Sequence, residues 1–255
     1  MTGTGPKGVT LVTGASAGLG AEFARQCRAR GDALVLVARR RERLEALAAE
    51  LGSAHVIAAD LARPDAAGRL LGEVEGLGLR VDTLINNAGF GLSGGFADAP
   101  AERLLEMIDL NVRSLTELCR LVLPAMVERK RGAILNVAST AAFQAGPNMA
   151  VYYASKAYVL SLTEAIHQEM KGKGVKVTAL CPGPTATEFF EVAESAGSTL
   201  ARMATDPAAV VTAGLRGLDR NRAIVIPGVT NKIGAYGTRF MPRAALRRIV
   251  ARIKM

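Results

Sequence analysis

The chain has 255 residues, 49% of them hydrophobic and 22% charged, which is enough for one large domain with a substantial core. It contains no apolar run near the roughly 18 residues of a membrane span, and its two histidines and three cysteines show no metal-ligand spacing. The net charge of +9 lies entirely in residues 216–255, so the neutral remainder argues against a basic groove and we expect no nucleic-acid partner.

Short apolar, β-branched runs alternate with longer helical patterns along the whole chain. Such strands, apolar on both faces and separated by helices, imply a parallel sheet that is covered on both sides. Because parallel strands need right-handed crossovers, we predict a single α/β domain over residues 1–255, with a doubly wound Rossmann-type sheet. The predicted strands are Val9 to Val12, Ala33 to Ala38, His55 to Ala59, Asp82 to Ile85, Ala133 to Val137, Val175 to Leu180 and Ala223 to Ile226.

The first strand-to-helix turn is rich in glycine. Residues 13–20 read TGASAGLG, follow the first strand and open a helix that runs to about Arg30. Glycine lets the backbone turn sharply and lets a pyrophosphate approach bare amides at a helix N-terminus, where the dipole favours anions. This turn therefore predicts dinucleotide binding. The candidate contacts are Gly14, Ser16, Ala17, Gly18, Leu19 and Gly20.

The end of the second strand indicates which dinucleotide is bound. An acid about twenty positions after the glycine loop would bond the ribose hydroxyls of NAD, whereas an arginine would receive the 2′-phosphate of NADP. Arg39 follows Gly20 at nearly that distance, with Arg40 next and no carboxylate. Since guanidinium binds phosphate through paired hydrogen bonds, Arg39 and Arg40 favour NADP(H) over NAD(H). Arg41 and Arg43 are interpreted as solvated residues of the following helix.

Polar residues close the third and fourth strands, on the edge where such sheets bind ligands. The third strand ends in Asp60 and Leu61, and residues 86–89 after the fourth read Asn-Asn-Ala-Gly. Adjacent asparagines before Ala-Gly offer amide groups and a close backbone approach for adenosine. Each segment could equally be a polar turn. The candidate contacts are Asp60, Leu61, Asn87, Ala88 and Gly89.

One long helix is predicted from about Ala101 to Val127. Asn111 falls on its apolar stripe, and a buried amide must find hydrogen-bond partners. It is therefore either a structural cross-link or a polar group aimed into the site. The stripe is formed by Leu104, Ile108, Leu115, Leu118, Val122 and Met126.

Three side chains between residues 139 and 156 offer acid-base chemistry. Tyr152 and Lys156 are four apart, so a helix that begins near Val151 places both on one face. An ammonium near a phenol favours the phenolate, so we expect the phenol pKa to fall from its usual value of about 10. Ser139, at the end of the preceding strand, would hold a substrate oxygen beside the phenol. The alternative interpretation is a half-buried tyrosine and a solvated lysine.

Together these motifs resemble the short-chain dehydrogenase/reductase family in order and spacing over about residues 8 to 190. The resemblance implies a Rossmann fold of about seven parallel strands and a catalytic tetrad of Asn111, Ser139, Tyr152 and Lys156. It also implies that the segment Pro-Gly-x-Thr-x-Thr at 182–187 contacts the nicotinamide, and that residues 188–205 form a substrate lid. The contacts from that segment are Pro182, Gly183, Thr185 and Thr187.

By this resemblance we predict hydride transfer between nicotinamide and a carbonyl or secondary alcohol, with no metal and with Tyr152 as proton donor in reduction. Ser139 would bond the substrate oxygen, Lys156 would hold the nicotinamide ribose, and Asn111 would position a water. Tyr152 and Lys156 thus count among the cofactor contacts as well. Apolar residues in the lid suggest a small apolar substrate: a ketone, a 3-oxoacyl thioester or a lipid-like alcohol would each fit. An NADP(H)-binding regulatory module without turnover is the alternative.

The C-terminal residues 239–255 predict a basic amphipathic helix that begins near Pro242. Its apolar stripe of Leu246, Ile249, Val250 and Ile253 must be buried either on protein or on an anionic membrane surface. The family resemblance favours a homodimer or homotetramer.

The N-terminus lacks the apolar core of a secretion signal, and Cys27, Cys119 and Cys181 are isolated in apolar surroundings. We therefore expect reduced thiols and a cytoplasmic protein, with peripheral membrane contact left open.

Overall fold

The computed structural model describes residues 6–185 and 205–252, and one parallel sheet organises them. Its strands are β1 Lys7–Thr13, β2 Leu34–Ala38, β3 His55–Ala58, β4 Leu79–Asn86, β5 Gly132–Val137, β6 Val175–Leu180 and β7 Ile224–Val225. All neighbours pair in parallel, in the order β3-β2-β1-β4-β5-β6-β7. The predicted doubly wound sheet is confirmed, with each strand within three residues of its expected bounds.

Helices cover both faces of this sheet. They are α1 Gly18–Ala29, α2 Arg41–Glu50, α3 Ala66–Gly76, α4 Ala101–Ile108, α5 Leu115–Glu128, α6 Ala150–Glu169, α7 Pro207–Asp219, α8 Val229–Gly237 and α9 Arg243–Arg252. Two short 3-10 helices, Thr140–Phe143 and Thr238–Phe240, follow β5 and α8. None of the helices in the described ranges is long and apolar enough to cross a membrane.

Alternation along each strand produces two apolar cores. In β2, Leu36 belongs to the cluster that includes Phe23 of α1, whereas Val35 and Val37 belong to the cluster that includes Leu70 of α3. Both faces of the strand are therefore apolar, as a sheet between two helical layers requires. The strand order reverses between β1 and β4, and the loops after these two strands diverge to leave a crevice at their carboxyl ends.

The predicted helix over 101–127 is interrupted by a π-helix, Asp109–Ser114, between α4 and α5. The wider turn changes the helical phase, so Met107 is fully buried and Ile108, which the stripe predicted inside, is 41% exposed. The prediction for Ile108 was wrong for that reason. Asn111, inside the π-helix, is 1% exposed, and the buried stripe continues after the π-helix at Leu115 and Leu118.

The C-terminal helix α9 packs on its own domain. Val250 is 4% exposed and belongs to an apolar cluster with Phe90, Met149 and Tyr153, against which Leu246 also packs. Ile249 remains 47% exposed, and Ile253 lies outside the described residues. Of the apolar stripe predicted for this helix, Leu246 and Val250 are thus covered by protein.

A chain that ends at Tyr236 should lose stability, because removing α9 uncovers the apolar cluster around Phe90. We expect a lower melting temperature by calorimetry and increased binding of a hydrophobic dye. A chain that ends at Arg252 is the control and should melt like the full-length protein. Equal melting temperatures for all three would contradict the packing of α9.

Candidate active site

A cavity of about 490 Å³ opens at the carboxyl edge of the sheet, where the order of the strands reverses. Most of the residues predicted from sequence meet there. The predicted residues that line it are Gly14, Ser16, Ala17, Gly18, Leu19, Arg39, Arg40, Asp60, Leu61, Asn87, Ala88, Gly89, Ser139, Tyr152, Lys156, Pro182, Gly183 and Thr185. Gly20 and Asn111 are buried and do not line the cavity. Thr187 and all but the last residue of the predicted lid 188–205 lie outside the described residues.

The glycine loop forms one wall of the cavity. Gly14 and Gly18 have φ of +66° and +54°, a left-handed conformation that other residues rarely adopt. A Cβ on Gly14 would lie 2.9 Å from the Cα of Ala88, and one on Gly20 would lie 2.1 Å from the carbonyl oxygen of Gly14. Glycine is therefore required for β1, α1 and the loop after β4 to approach each other.

Hydrogen bonds lock the glycine loop to the loop after β4. Thr13 Oγ1 accepts from the amides of Asn87 and Ala88, both at 3.0 Å. Asn87 Nδ2 donates to the carbonyl oxygens of Thr13 at 2.9 Å and of Gly14 at 3.3 Å. The side chain of Asn87 thus shapes the cavity wall by holding backbone.

Asn86 points the other way, into the core. It is 3% exposed, and its Nδ2 donates to Asn136 Oδ1 at 2.9 Å, while Asn136 Nδ2 donates to Thr163 Oγ1 at 3.0 Å. The expectation that both adjacent asparagines offer amides to a ligand was wrong for Asn86, because successive residues at a strand end face opposite sides.

Two arginines lie at the end of the cavity near β2. Arg39 is exposed, and its guanidinium donates to Glu106 Oε1 at 3.1 Å. Arg40 donates to Ser16 Oγ at 3.2 Å, which ties the end of β2 to the glycine loop. Glu106 also pairs with Arg103. No sequence pattern predicts the pair between Arg39 and Glu106, because these residues are far apart in the chain.

Asn111 links the loop after β4 to α6. Its Oδ1 accepts from the amide of Phe90 at 3.1 Å, and its Nδ2 donates to the carbonyl of Phe90 at 2.9 Å and to Ser155 Oγ at 3.1 Å. Of the two alternatives, these contacts are those of a cross-link. A Cβ on Gly89 would lie 2.8 Å from Asn111 Oδ1 and 3.5 Å from Lys156 Nζ, so the absence of a side chain there lets both groups approach the cavity wall.

Ser139 and Tyr152 are hydrogen-bonded to each other at the centre of the cavity. Ser139 begins the 3-10 helix Thr140–Phe143, and its Oγ also accepts from the amide of Ala141 at 3.1 Å. Lys156 Nζ donates to the carbonyl of Val137 at 2.9 Å and lies 5.9 Å from the centre of the Tyr152 ring. The structure therefore brings the hydroxyl, the phenol and the ammonium together, all three on the cavity wall.

Burial controls the ionisation of these groups. Desolvation raises the pKa of Tyr152 to about 12, although the hydrogen bond from Ser139 acts in the opposite direction. Desolvation also lowers the pKa of Lys156 to about 8. The expected fall in the phenol pKa was wrong for the chain alone, because burial outweighs the favourable contacts of the phenolate.

Tyr153, the neighbour of the predicted phenol, also lines the cavity but makes different contacts. Its ring packs against Gly146, where a Cβ would lie 2.2 Å from the ring. It meets the ring of Tyr152 edge-on, with centroids 6.1 Å apart, and burial raises its pKa. With Phe90, Met149 and Val250 it forms an apolar wall that sequence reasoning missed, since these residues come from distant segments.

The family follows from comparison with known proteins. Residues 8–196 match the family model described as short chain dehydrogenase. The chain belongs to the short-chain dehydrogenase family. It is therefore an oxidoreductase that binds a nicotinamide cofactor and acts on CH–OH or C=O groups, as the motifs predicted. Within the described ranges, no group of three or more His, Cys, Asp or Glu could hold a metal.

Curated relatives of this dehydrogenase differ in substrate. Serine 3-dehydrogenase of Agrobacterium fabrum is 38% identical over 186 residues, covering 71% of this chain and 74% of that protein. Very-long-chain 3-oxoacyl-CoA reductase of Anas platyrhynchos is 34% identical over 194 residues, covering 72% of this chain but only 62% of that protein. The match thus leaves more than a third of the reductase's length uncovered.

Solved structures agree over nearly the whole chain. A short-chain dehydrogenase from Sphingobium yanoikuyae in complex with NADPH is 34% identical, with a TM-score of 0.81 over 98% of this chain and 96% of that one. A structure from a study of 7β-hydroxysteroid dehydrogenase stereoselectivity is 27% identical, with a TM-score of 0.85 over 96% of each chain.

Gly89→Ala should impair the site while the fold persists, because the added methyl would meet Asn111 Oδ1 at 2.8 Å. We expect turnover to fall at least about tenfold from displacement of a positioned group, with some loss of thermal stability because Asn111 also cross-links the loop after β4 to α6. Gly72→Ala in α3 is the matched control, since nothing lies within 4 Å of its Cβ position. Full activity in Gly89→Ala would show that the close approach of Asn111 has no catalytic consequence.

Proposed function

We propose that this protein is an NADP(H)-preferring short-chain dehydrogenase that reduces the carbonyl, or oxidises the secondary alcohol, of a small apolar substrate. The observation that carries the proposal is the buried phenol of Tyr152, hydrogen-bonded to Ser139 in a cavity whose walls are the glycine loop on one side and an apolar cluster on the other. Hydride transfer needs a dinucleotide bound at the glycine loop, and proton transfer needs the phenol beside the substrate. Both must therefore lie in the same cavity.

The residues of the cavity fit a nicotinamide dinucleotide. Gly14 and Gly18 line the cavity without side chains and in left-handed conformations, and α1 begins there without a side-chain cap on its first amides. Those amides and the helix dipole favour a diphosphate. Asp60 and Asn87 line the adjacent wall, where an adenosine would be held. The bound cofactor supplies the hydride in reduction and takes it up in oxidation.

Arg39 and Arg40 support the preference for NADP(H). Both guanidinium groups border the cavity, and no carboxylate follows β2 to hold the ribose hydroxyls of NAD. The partner of Arg39 is the carboxylate of Glu106, in an exposed pair of modest strength. A 2′-phosphate, with more negative charge and a bidentate geometry, would compete well for the same guanidinium.

Tyr152 is suited to donate a proton in reduction. Because its pKa is raised to about 12, the phenol holds its proton at Oη throughout the neutral range. Ser139 Oγ, whose position is set by the amide of Ala141, would donate a hydrogen bond to the oxyanion that develops on the substrate. With a pKa lowered to about 8, Lys156 still carries its charge at pH 7 and favours the phenolate that remains after donation.

The shape of the wall supports an apolar substrate. Phe90, Met149, Tyr153 and Val250 line the cavity and belong to the same apolar cluster as Tyr152. None of these four residues offers a charged partner to the α-ammonium and carboxylate of serine, the substrate named for one relative. A ketone, a 3-oxoacyl group or a lipid-like alcohol fits better.

We also propose that the protein forms a homo-oligomer and that it is cytoplasmic. Leu121 of α5 and Tyr158 of α6 are 47% and 40% exposed on adjacent helices, which suits a homodimer or homotetramer. The three cysteines are buried free thiols, which suits a cytoplasmic protein.

Tyr152→Phe should lower turnover at least about a hundredfold, because it removes the general acid, and leave NADPH affinity nearly unchanged. Lys156→Ala should impair both, since its ammonium serves cofactor and phenol. NADPH oxidation with a panel of ketones and fluorescence titration of NADPH measure the two quantities. Tyr153→Phe is the control and should stay active. An active Tyr152→Phe together with an inactive Tyr153→Phe would show that the proton donor is Tyr153.

Arg39→Asp should weaken NADPH binding about ten- to a hundredfold, the value of a lost hydrogen bond to a charged group, and narrow or reverse the preference over NADH. Arg41→Asp is the matched control, because Arg41 pairs with Glu45 on α2 and does not line the cavity. Titration of each variant with NADPH and with NADH measures the two affinities. Equal affinity of the unmodified protein for NADPH and NADH would refute the argument from Arg39.

A further inference from the structure

Helix α8 and the 3-10 helix after it leave an apolar stripe in solvent. Val229, Ile233 and Phe240 are 75%, 69% and 89% exposed, among the most exposed large apolar side chains of the described residues. With the half-buried Tyr236 they recur at spacings of four, three and four, which places them along one side of a helical path. A contiguous exposed stripe of this kind marks an interaction surface, whereas isolated apolar residues do not.

The opposite side of α8 attaches it to the domain. Ala235 is 3% exposed, and a Cβ on Gly183 would meet the amide group of Asn231 at 2.4 Å. Tyr236, at the margin of the stripe itself, also contacts Phe143 edge-on, with ring centroids 6.3 Å apart. The stripe is therefore held outward by a helix that is fixed to the domain beside Gly183, a residue of the cavity wall. The stripe of α8 differs from that of α9, where Leu246 and Val250 pack against the domain.

Positive charge surrounds this stripe. Residues 220–252 contain eight Lys or Arg and no Asp or Glu. Lys232, Arg239 and Arg243 are exposed, and no ion pair is found for them among the described residues. A second copy of the chain placed on this surface would bring like charges together, because a two-fold interface joins the same patch on both subunits.

We propose that the stripe of Val229, Ile233 and Phe240, with the cations around it, is a peripheral docking surface for an anionic lipid bilayer. The apolar side chains enter the boundary between headgroups and acyl chains, and the cations contact lipid phosphates. Protruding apolar groups combined with charge of one sign favour an anionic bilayer over a second copy of the chain. This surface goes beyond the proposed function and does not depend on turnover.

The sequence contains no tryptophan, so Phe240→Trp provides a single fluorescent reporter on the surface. With vesicles of phosphatidylcholine and phosphatidylglycerol at low salt, we expect its emission to shift to shorter wavelength. Phosphatidylcholine alone should give no shift. Leu77→Trp is the matched control, because Leu77 is 52% exposed and lies just before β4, at the amino end of the parallel strands. The emission of that tryptophan should not change.

Sedimentation with the same vesicles tests the two contributions separately. Val229→Ser, Ile233→Ser and Phe240→Ser combined should abolish binding without changing the melting curve, since all three side chains are exposed. Arg239→Gln should weaken binding about fivefold, and about 1 M salt should release the protein because the screening length falls to about 3 Å.

Three results would overturn the proposal. The first is no sedimentation of the full chain with anionic vesicles at low salt. The second is an equal emission shift for Phe240→Trp and Leu77→Trp, which means adsorption without a defined surface. The third is a fall in oligomeric mass of the triple serine variant by light scattering, which means that the stripe contacts another copy of the chain. None of these results bears on Tyr152 or on cofactor binding.

Discussion

Hydrogen bonds between the ends of β1 and β4 hold the site together. These strands are neighbours in the sheet, but the chain leaves them toward different parts of the fold, and no further ladder bonds join them beyond their last residues. Thr13 and Asn87 replace that ladder with side-chain bonds to the backbone of the facing loop. Each such bond contributes only about 0.5–1.5 kcal/mol, but the set fixes one geometry for the glycine loop. The rest of the cavity is built on this fixed wall.

The second constraint is that the ionisable side chains at the centre of the site, Tyr152 and Lys156, are buried. Lys156 is 6% exposed and is held by the carbonyl of Val137, and Tyr152 is 8% exposed beside it. Burial disfavours both the phenolate and the ammonium, so the chain alone keeps the pair closer to its neutral forms than sequence spacing suggested. The phenol therefore keeps its proton in the neutral range, and the ammonium is less stable than it would be in water.

The fold and the cofactor half of the site were accessible from sequence because they depend on local patterns. Strand periodicity, the glycine loop and the polar strand ends each lie within a short segment, and parallel topology then brings them to one edge. What sequence missed depends on contacts between distant segments. Glu106 beside Arg39, Val250 beside Tyr153 and the π-helix at Asp109–Ser114 follow from packing. The direction of the Tyr152 pKa shift was missed for the same reason, since spacing does not reveal burial.

The position of α9 has a consequence for how such an enzyme diversifies. Val250 closes the apolar wall of the cavity from outside the sheet, whereas the glycine loop, Arg39 and Asn87 belong to the loops that the sheet itself positions. Substitutions in α9 would therefore remodel this apolar wall without disturbing the backbone of the glycine loop. This helix could therefore change the shape of the cavity separately from the glycine loop, and the burial of Val250 ties each such change to the stability of the domain.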